Sequence, residues 1–168
     1  MVFMVNLLLL DLHLQFGMMK LQDILTPDCT ICAVPAASKK RILEFLSSLA
    51  AEKLANHDTF QLLESLVKRE RMGSTGIGNG IAIPHGRLID ATKPIAVLIT
   101  TEQAIDFDAI DHRPVDIFIA LFVPEEECQN HLCTLQSIAT IFRDKQFCKQ
   151  VRQCKSNHEL FQLIQQAS

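Results

Sequence analysis

His85 stands between Pro84 and Gly86 at the end of a glycine-rich stretch, MGSTGIGNGIAIPHGRL, residues 72–88. An imidazole is largely neutral near pH 7 and carries a free nitrogen lone pair, so it can act as a nucleophile. Phosphorylation of that nitrogen gives a high-energy phosphoramidate suited to onward transfer. Pro84 restricts the backbone on the entering side. Gly86 has no side chain, which leaves room for a bulky group to approach. Taken alone, His85 reads first as a turn histidine hydrogen-bonded for structure. Its surroundings favour the chemical reading. Gly76, Gly78 and Gly80, with Ser74 and Thr75, offer backbone N–H groups and hydroxyls that can cradle phosphate oxygens. No Gly-Lys-Ser/Thr follows, so this is not a Walker motif. The stretch follows a helical pattern, so it is not a dinucleotide fingerprint either. A glycine loop by itself is ordinarily a turn.

Two further side chains fit the same chemistry. Arg69 follows Lys68 near the end of the preceding helical pattern and can aim a bidentate fork at a phosphoryl group. Phosphoryl transfer depends mainly on positioning and charge stabilisation, so one well-aimed arginine matters. Arg71 is explained by the macrodipole, which favours cations at a helix C-terminus. His131, in QNHLCTL, falls at an expected helix start, where unpaired N–H groups favour anions. It can hold a phosphoryl group on His85 or orient the imidazole; the alternative is a surface histidine near an N-cap. His13, His57, His112 and His158 have no such setting and read as surface or turn residues.

The elements that must position these groups follow from periodicity. Residues 29–34 (CTICAV) read as a short strand ended by Pro35. Ser38 caps an expected helix over 39–55, with Ile42, Leu43, Leu46, Leu49 and Ala50 at helical spacing. Asp58 caps a second, running to Arg71, with Phe60, Leu62, Leu63, Leu66 and Val67 as apolar positions. Residues 81–83 form a short extended run. Residues 95–101 and 115–123 are near-continuous apolar and read as central strands covered on both faces. A helix is expected over 130–143, a short one to 153, and a last one from the Ser156-x-x-Glu159 capping box to 166. That order predicts an α/β fold: a single three-layer α/β/α domain with a mixed central sheet.

Composition narrows the function classes. The 168 residues suit one domain, and 48% apolar against 21% charged residues permits a sizeable core. A net charge of −3 argues against nucleic-acid binding. The six cysteines lack a disulfide framework's spacing and read as reduced thiols of a cytoplasmic protein. Cys29-x-x-Cys32 lies in a β-prone run, and Cys128, His131 and Cys133 lack a second ligand pair of zinc-like spacing, so no metal site is expected. No cofactor is implied. The apolar run at residues 1–16 is too short for membrane insertion and is broken by Asn6, Asp11 and His13. Residues 1–17 are read as an extension or start-site artefact, and residues 18–168 as the domain.

GSTGIGNGIAIPHGRL resembles the active-site signature of phosphotransferase system IIA components of the fructose/mannitol type. KRERMGSTG, FDAIDHRPVDIFIALFVP and HLCTLQSIA are similar to that family's nitrogen-regulatory branch, and the resemblance runs from about Leu21 to the C-terminus. It implies that His85 is phosphorylated on Nε2, with His131 as second active-site histidine and Arg69 as the phosphate-facing arginine. Cys133 stands where relatives carry a further histidine, so the site is not extended to it. The resemblance also implies a histidine phosphocarrier protein as donor, charged by an enzyme I that uses phosphoenolpyruvate. The expected role is a regulatory phosphocarrier that signals through phosphorylation-dependent binding to targets such as sensor kinases or potassium transporters. It would be a phosphotransferase component without small-molecule turnover. The alternative is a sugar-uptake IIA subunit passing phosphate to a separate IIB cysteine. Met72, Ile77, Ile81 and Ile83 are expected to form an apolar docking patch, or else core.

Overall fold

The computed structural model describes residues 19–167. The extension expected at residues 1–17 lies outside them. Element order is α1 (Leu21–Ile24), β1 (Leu25–Val34), α2 (Lys39–Ala51), α3 (Thr59–Glu70), β2 (Gly76–Gly78), β3 (Ile81–Ala82), β4 (His85–Leu88), β5 (Ile95–Ile105) and β6 (Val115–Pro124). A 3₁₀ turn at Glu125–Glu127 then leads into α4 (Cys128–Ile141), α5 (Lys145–Gln153) and α6 (Asn157–Gln165).

The two apolar runs form the middle of the sheet because both of their faces are covered. On β6, Ile117, Ile119, Leu121 and Val123 pack with Ile138 of α4, Phe142 just after that helix, Val151 of α5, and Leu160 and Ile164 of α6. The alternate residues Phe118, Ala120 and Phe122 pack with Ile42 and Leu46 of α2 and Leu62 and Leu66 of α3. A strand buried on both sides has no reason to alternate with polar residues, which is why it reads as continuous apolar sequence. Burying each of these large side chains contributes roughly 1.5–3 kcal/mol. The result is the three-layer α/β/α sandwich expected from the sequence.

Among the described residues the sheet has six strands in the order β1-β5-β6-β3-β2, with β4 continuing beside β6 beyond β3. The β1–β5, β3–β6 and β4–β6 pairs are parallel, whereas β5–β6 and β2–β3 are antiparallel. The sheet is therefore mixed. β1 begins at Leu25, earlier than expected, and takes in Pro27. An edge strand tolerates that proline, and the register slips between Leu25 and Thr30 to accommodate it. Cys29 and Cys32 pack into opposite layers, so the Cys-x-x-Cys spacing does not pair them.

Helix ends follow local chemistry. Ser38 Oγ accepts from Arg41 N, and Asp58 and Gln61 cap each other's backbone reciprocally. α2 ends at Ala51, short of 55, because Lys53 N and Leu54 N donate to Ala50 O and Ala51 O and tighten the last turn. At α6, Ser156 Oγ accepts from Glu159 N, but the Glu159 carboxylate accepts from Lys155 N. The expected capping box is therefore only half made.

Candidate active site

β4 brings His85 to the open side of the sheet. Its register with β6 pairs His85 with Leu121 and Gly86 with Phe122. His85 thus belongs to the face of Leu121 and Val123, the layer that α4 covers, while Gly86 belongs to the face of α2 and α3. The backbone around it is held on both sides: Ile83 N donates to Thr75 O (3.0 Å), and Leu121 N donates to Pro84 O (2.9 Å).

The imidazole is held by two hydrogen bonds that define its tautomer. Nδ1 lies 2.9 Å from Ile83 O. A carbonyl only accepts, so Nδ1 carries the proton. Nε2 then presents its lone pair, and Arg69 Nε donates to it at 3.3 Å. Protonating Nε2 would set one N–H against another. Burial, helped by the nearby Arg69 charge, lowers the pKa of His85 below the ordinary 6.5, and the Ile83 hydrogen bond opposes part of that shift. The ring is therefore neutral at physiological pH, with Nε2 as its nucleophilic atom.

Arg69 is the penultimate residue of α3, and its Nη1 also donates to Gly73 O at 2.8 Å. The helix can lie this close because of Gly86. A Cβ on Gly86 would come within 2.1 Å of Ser65 Oγ and 3.1 Å of the Ser65 carbonyl carbon. The room beside Gly86, expected to admit a phosphoryl group, is filled by α3.

His131 is the fourth residue of α4, since the 3₁₀ turn carries β6 directly into a helix starting at Cys128. It is thus one turn inside the helix and only 3% exposed, with Thr134 buried beside it. Its helix covers the sheet face that carries His85. Arg69 reaches His85 from a helix of the other layer, around the edge of the sheet where β4 pairs only with β6 among the described residues.

The glycine stretch folds as a tight hairpin. Gly76–Gly78 pairs antiparallel with Ile81–Ala82, and Asn79-Gly80 turns between them with φ of 57° and 79°. Gly76 packs on Ala109, where a Cβ would come within 2.7 Å of the Ala109 Cβ. Several groups expected to cradle phosphate are engaged within the fold. Thr75 N and Oγ1 donate to the Glu70 carboxylate, Ser74 Oγ donates to Phe107 O (2.7 Å), Gly76 N donates to Ser74 Oγ (3.1 Å), and Asn79 N donates to Asp111 Oδ2 (2.9 Å).

Sequence reasoning missed several supporting residues. Arg152 of α5 clamps the hairpin, donating to Asn79 O (2.7 Å) and through Nε to both Asp116 oxygens (3.0 and 2.9 Å). It is 73 residues from Asn79 and carries no local signal. Glu70, beside Arg69, has a side chain only 5% exposed and is paired with Lys39 Nζ at 3.1 Å. One signal was available for Glu70: a carboxylate in the last turn of a helix opposes the macrodipole, so it needs a partner elsewhere. The expected apolar patch divides. Ile81 and Ile83 are core, whereas Met72 is 80% and Ile77 41% exposed. Ile110, also 80% exposed, joins them, because its N–H reaches Gly76 O at 3.5 Å.

No helix among the described residues is long and apolar enough to cross a membrane. The family model described as "Phosphoenolpyruvate-dependent sugar phosphotransferase system, EIIA 2" matches residues 23–167. A nitrogen regulatory protein of Klebsiella oxytoca is 43% identical over 150 residues, covering 89% of this chain and 92% of that one. A nitrogen regulatory protein of Escherichia coli (strain K12) is 44% identical over 147 residues, covering 87% and 90%. The crystal structure of the nitrogen regulatory protein IIA-Ntr from Neisseria meningitidis superposes with a TM-score of 0.79 at 31% identity, covering 85% of this chain and 97% of that one.

Proposed function

Starting from a chain that belongs to the EIIA 2 family of the phosphoenolpyruvate-dependent sugar phosphotransferase system, we propose that His85 accepts a phosphoryl group on Nε2 from a histidine phosphocarrier protein. The donor is charged in a relay that begins with phosphoenolpyruvate. The two forms of the protein are then read by regulatory partners in the cytoplasm, a role supported by its similarity to nitrogen regulatory proteins. Sensor kinases and potassium transporters are the target classes.

One observation carries this reading: Nδ1 donates to Ile83 O, which leaves Nε2 as a lone pair facing a guanidinium. In the transfer step, the Nε2–P bond forms as the P–N bond to the donor's imidazole breaks. The His85 proton stays on Nδ1, held by Ile83 O, so no base is needed to activate the ring. Arg69 Nε must leave Nε2 as phosphorus arrives, and its fork then meets the phosphoryl oxygens, where a charge-assisted bidentate contact is strongest. His131, from the helix over the same face, is the second contact for those oxygens. Lowering the His85 pKa keeps the ring in its nucleophilic form.

Signalling follows from charge. Phosphorylation adds about −1.5 to −2 charge. Exposed Ile77 lies on the first strand of the hairpin that leads into His85, and exposed Met72 and Ile110 lie on the loops beside it, so a partner docking on them meets either a neutral or an anionic centre.

The test is to incubate the protein with phosphoenolpyruvate, enzyme I and the phosphocarrier. An acid-labile, base-stable phosphate is expected on the wild type and none on His85→Ala. An unlabelled wild type, or full labelling of His85→Ala, refutes the assignment. Fast onward transfer to a IIB cysteine would replace the regulatory role by sugar uptake.

A further inference from the structure

We propose that Glu70 is a positioning residue of this site, holding Arg69 and His85 in mutual register through Thr75 and Lys39. The inference rests on the phosphoryl-transfer reading above and assigns a role to a side chain that does not touch the reacting atoms.

Glu70 is the last residue of α3, and its side chain is 5% exposed. A carboxylate so buried is costly unless fully paired, and the negative end of its own helix adds to the cost. It is paired on every side. Thr75 N donates to both carboxylate oxygens at 3.2 and 3.3 Å, and Thr75 Oγ1 donates to Oε1. Lys39 Nζ, from the first turn of α2, completes the set at 3.1 Å. Lys39 is itself held over the Phe107 ring, 4.5 Å from its centroid, and donates to Phe107 O.

Followed outward, these contacts close a ring around the nucleophile. From Glu70 the path passes to Thr75, whose carbonyl accepts from Ile83 N at 3.0 Å. Ile83 O accepts from His85 Nδ1 at 2.9 Å, and His85 Nε2 accepts from Arg69 Nε at 3.3 Å. Arg69 is covalently joined to Glu70, which completes the circuit. Glu70 therefore fixes both ends of the Arg69–His85 contact: one through the chain, the other through the loop that sets the carbonyl orienting the imidazole. A staple that merely secured the end of α3 would have no reason to include the acceptor of His85 Nδ1. The geometry of a near-attack arrangement is sensitive to such support, since a shift of about 1 Å costs on the order of 100-fold in rate.

The experiment compares wild type, Glu70→Gln and Glu70→Ala as full chains, with circular dichroism to establish folding. Phosphoryl transfer from the charged phosphocarrier is measured as maximal rate and donor KM, and the His85 ring nitrogens are followed by ¹⁵N NMR without any donor. Expected for Glu70→Ala is a loss on the order of 100-fold in maximal rate with donor KM unchanged, and a ring spectrum that mixes tautomers. Glu70→Gln keeps the shape but loses the charge against Lys39, and its rate falls between the two. Folded variants with wild-type maximal rate and a single Nδ1–H tautomer overturn the proposal, as does a loss confined to KM. If Glu70→Ala does not fold, Glu70→Gln decides alone by the same two readouts. If the wild type itself takes no phosphate, the transfer reading fails, and the donor-free spectra still decide whether Glu70 orients the ring.

Discussion

At the scale of the residue, two hydrogen bonds define the behaviour of His85. An imidazole with Nδ1 donating to Ile83 O and Nε2 accepting from Arg69 has no place for a second proton. Its pKa in the fold lies below the 6.5 it has when unfolded. Below pH 6.5 the unfolded chain takes up a proton that the folded chain resists, so the unfolded state binds more protons and stability falls as the solution is acidified. Above that value the contribution is constant. Thermal melts across a pH series should show this acid-side loss in the wild type and a smaller one in His85→Gln. Phosphoryl acceptance should decline on acidification with its inflection below pH 6.5; an inflection at or above 6.5 would contradict the lowered His85 pKa.

At the scale of the element, the site depends on how closely α3 lies on β4. Gly86 permits that approach, because any Cβ there would collide with Ser65. Gly86→Ala should therefore destabilise the fold by about 1–3 kcal/mol, the usual cost of overpacking a close contact. It should also slow phosphoryl acceptance, since displacing α3 moves Arg69 away from Nε2. Denaturant unfolding and the relay assay check the two effects, and a variant as stable as wild type would show that Ser65 can turn aside. The hairpin has its own logic. Asn79-Gly80 supplies two left-handed residues in succession, the conformation a two-residue hairpin turn requires. An Asn-Gly pair ahead of Ile81-Ala82-Ile83 is a hairpin signal in the sequence, competing with the reading of the glycines as a phosphate cradle. The backbone N–H groups of Thr75, Gly76 and Asn79 are used to build that turn and its base.

At the scale of the whole molecule, the surface around the hairpin joins residues far apart in the chain. Ile110 precedes β6, Met72 precedes the hairpin and Ile77 lies on its first strand; all are exposed although each is large and apolar. Replacing Met72 and Ile110 together by Asp should leave thermal stability nearly unchanged, because exposed substitutions typically alter it by less than about 0.5 kcal/mol. Donor KM should rise by roughly 10-fold or more, since a charge placed in an apolar contact costs at least about 1.4 kcal/mol there. Unchanged KM would move the docking surface elsewhere.

What the amino-acid sequence determined by itself was whatever rests on short-range physics. The apolar runs of β5 and β6, the caps at Ser38 and Asp58 and the α/β/α layering were legible, because burial on both faces and helix-end chemistry leave local patterns. His85 was legible as a candidate from Pro84, Gly86 and the glycine stretch, but Ile83 O as its tautomer-setting partner was not, since that needs the backbone path of β4. Where interactions join distant parts of the chain, only the tertiary structure decided. It put Gly86 against Ser65 instead of a ligand, buried His131 one turn inside α4, sent Ile81 and Ile83 to the core, and closed the circuit through Glu70, Thr75, Ile83, His85 and Arg69. The reason is physical. A side chain's type is written in the sequence, but its partner is whatever packing brings within hydrogen-bonding range.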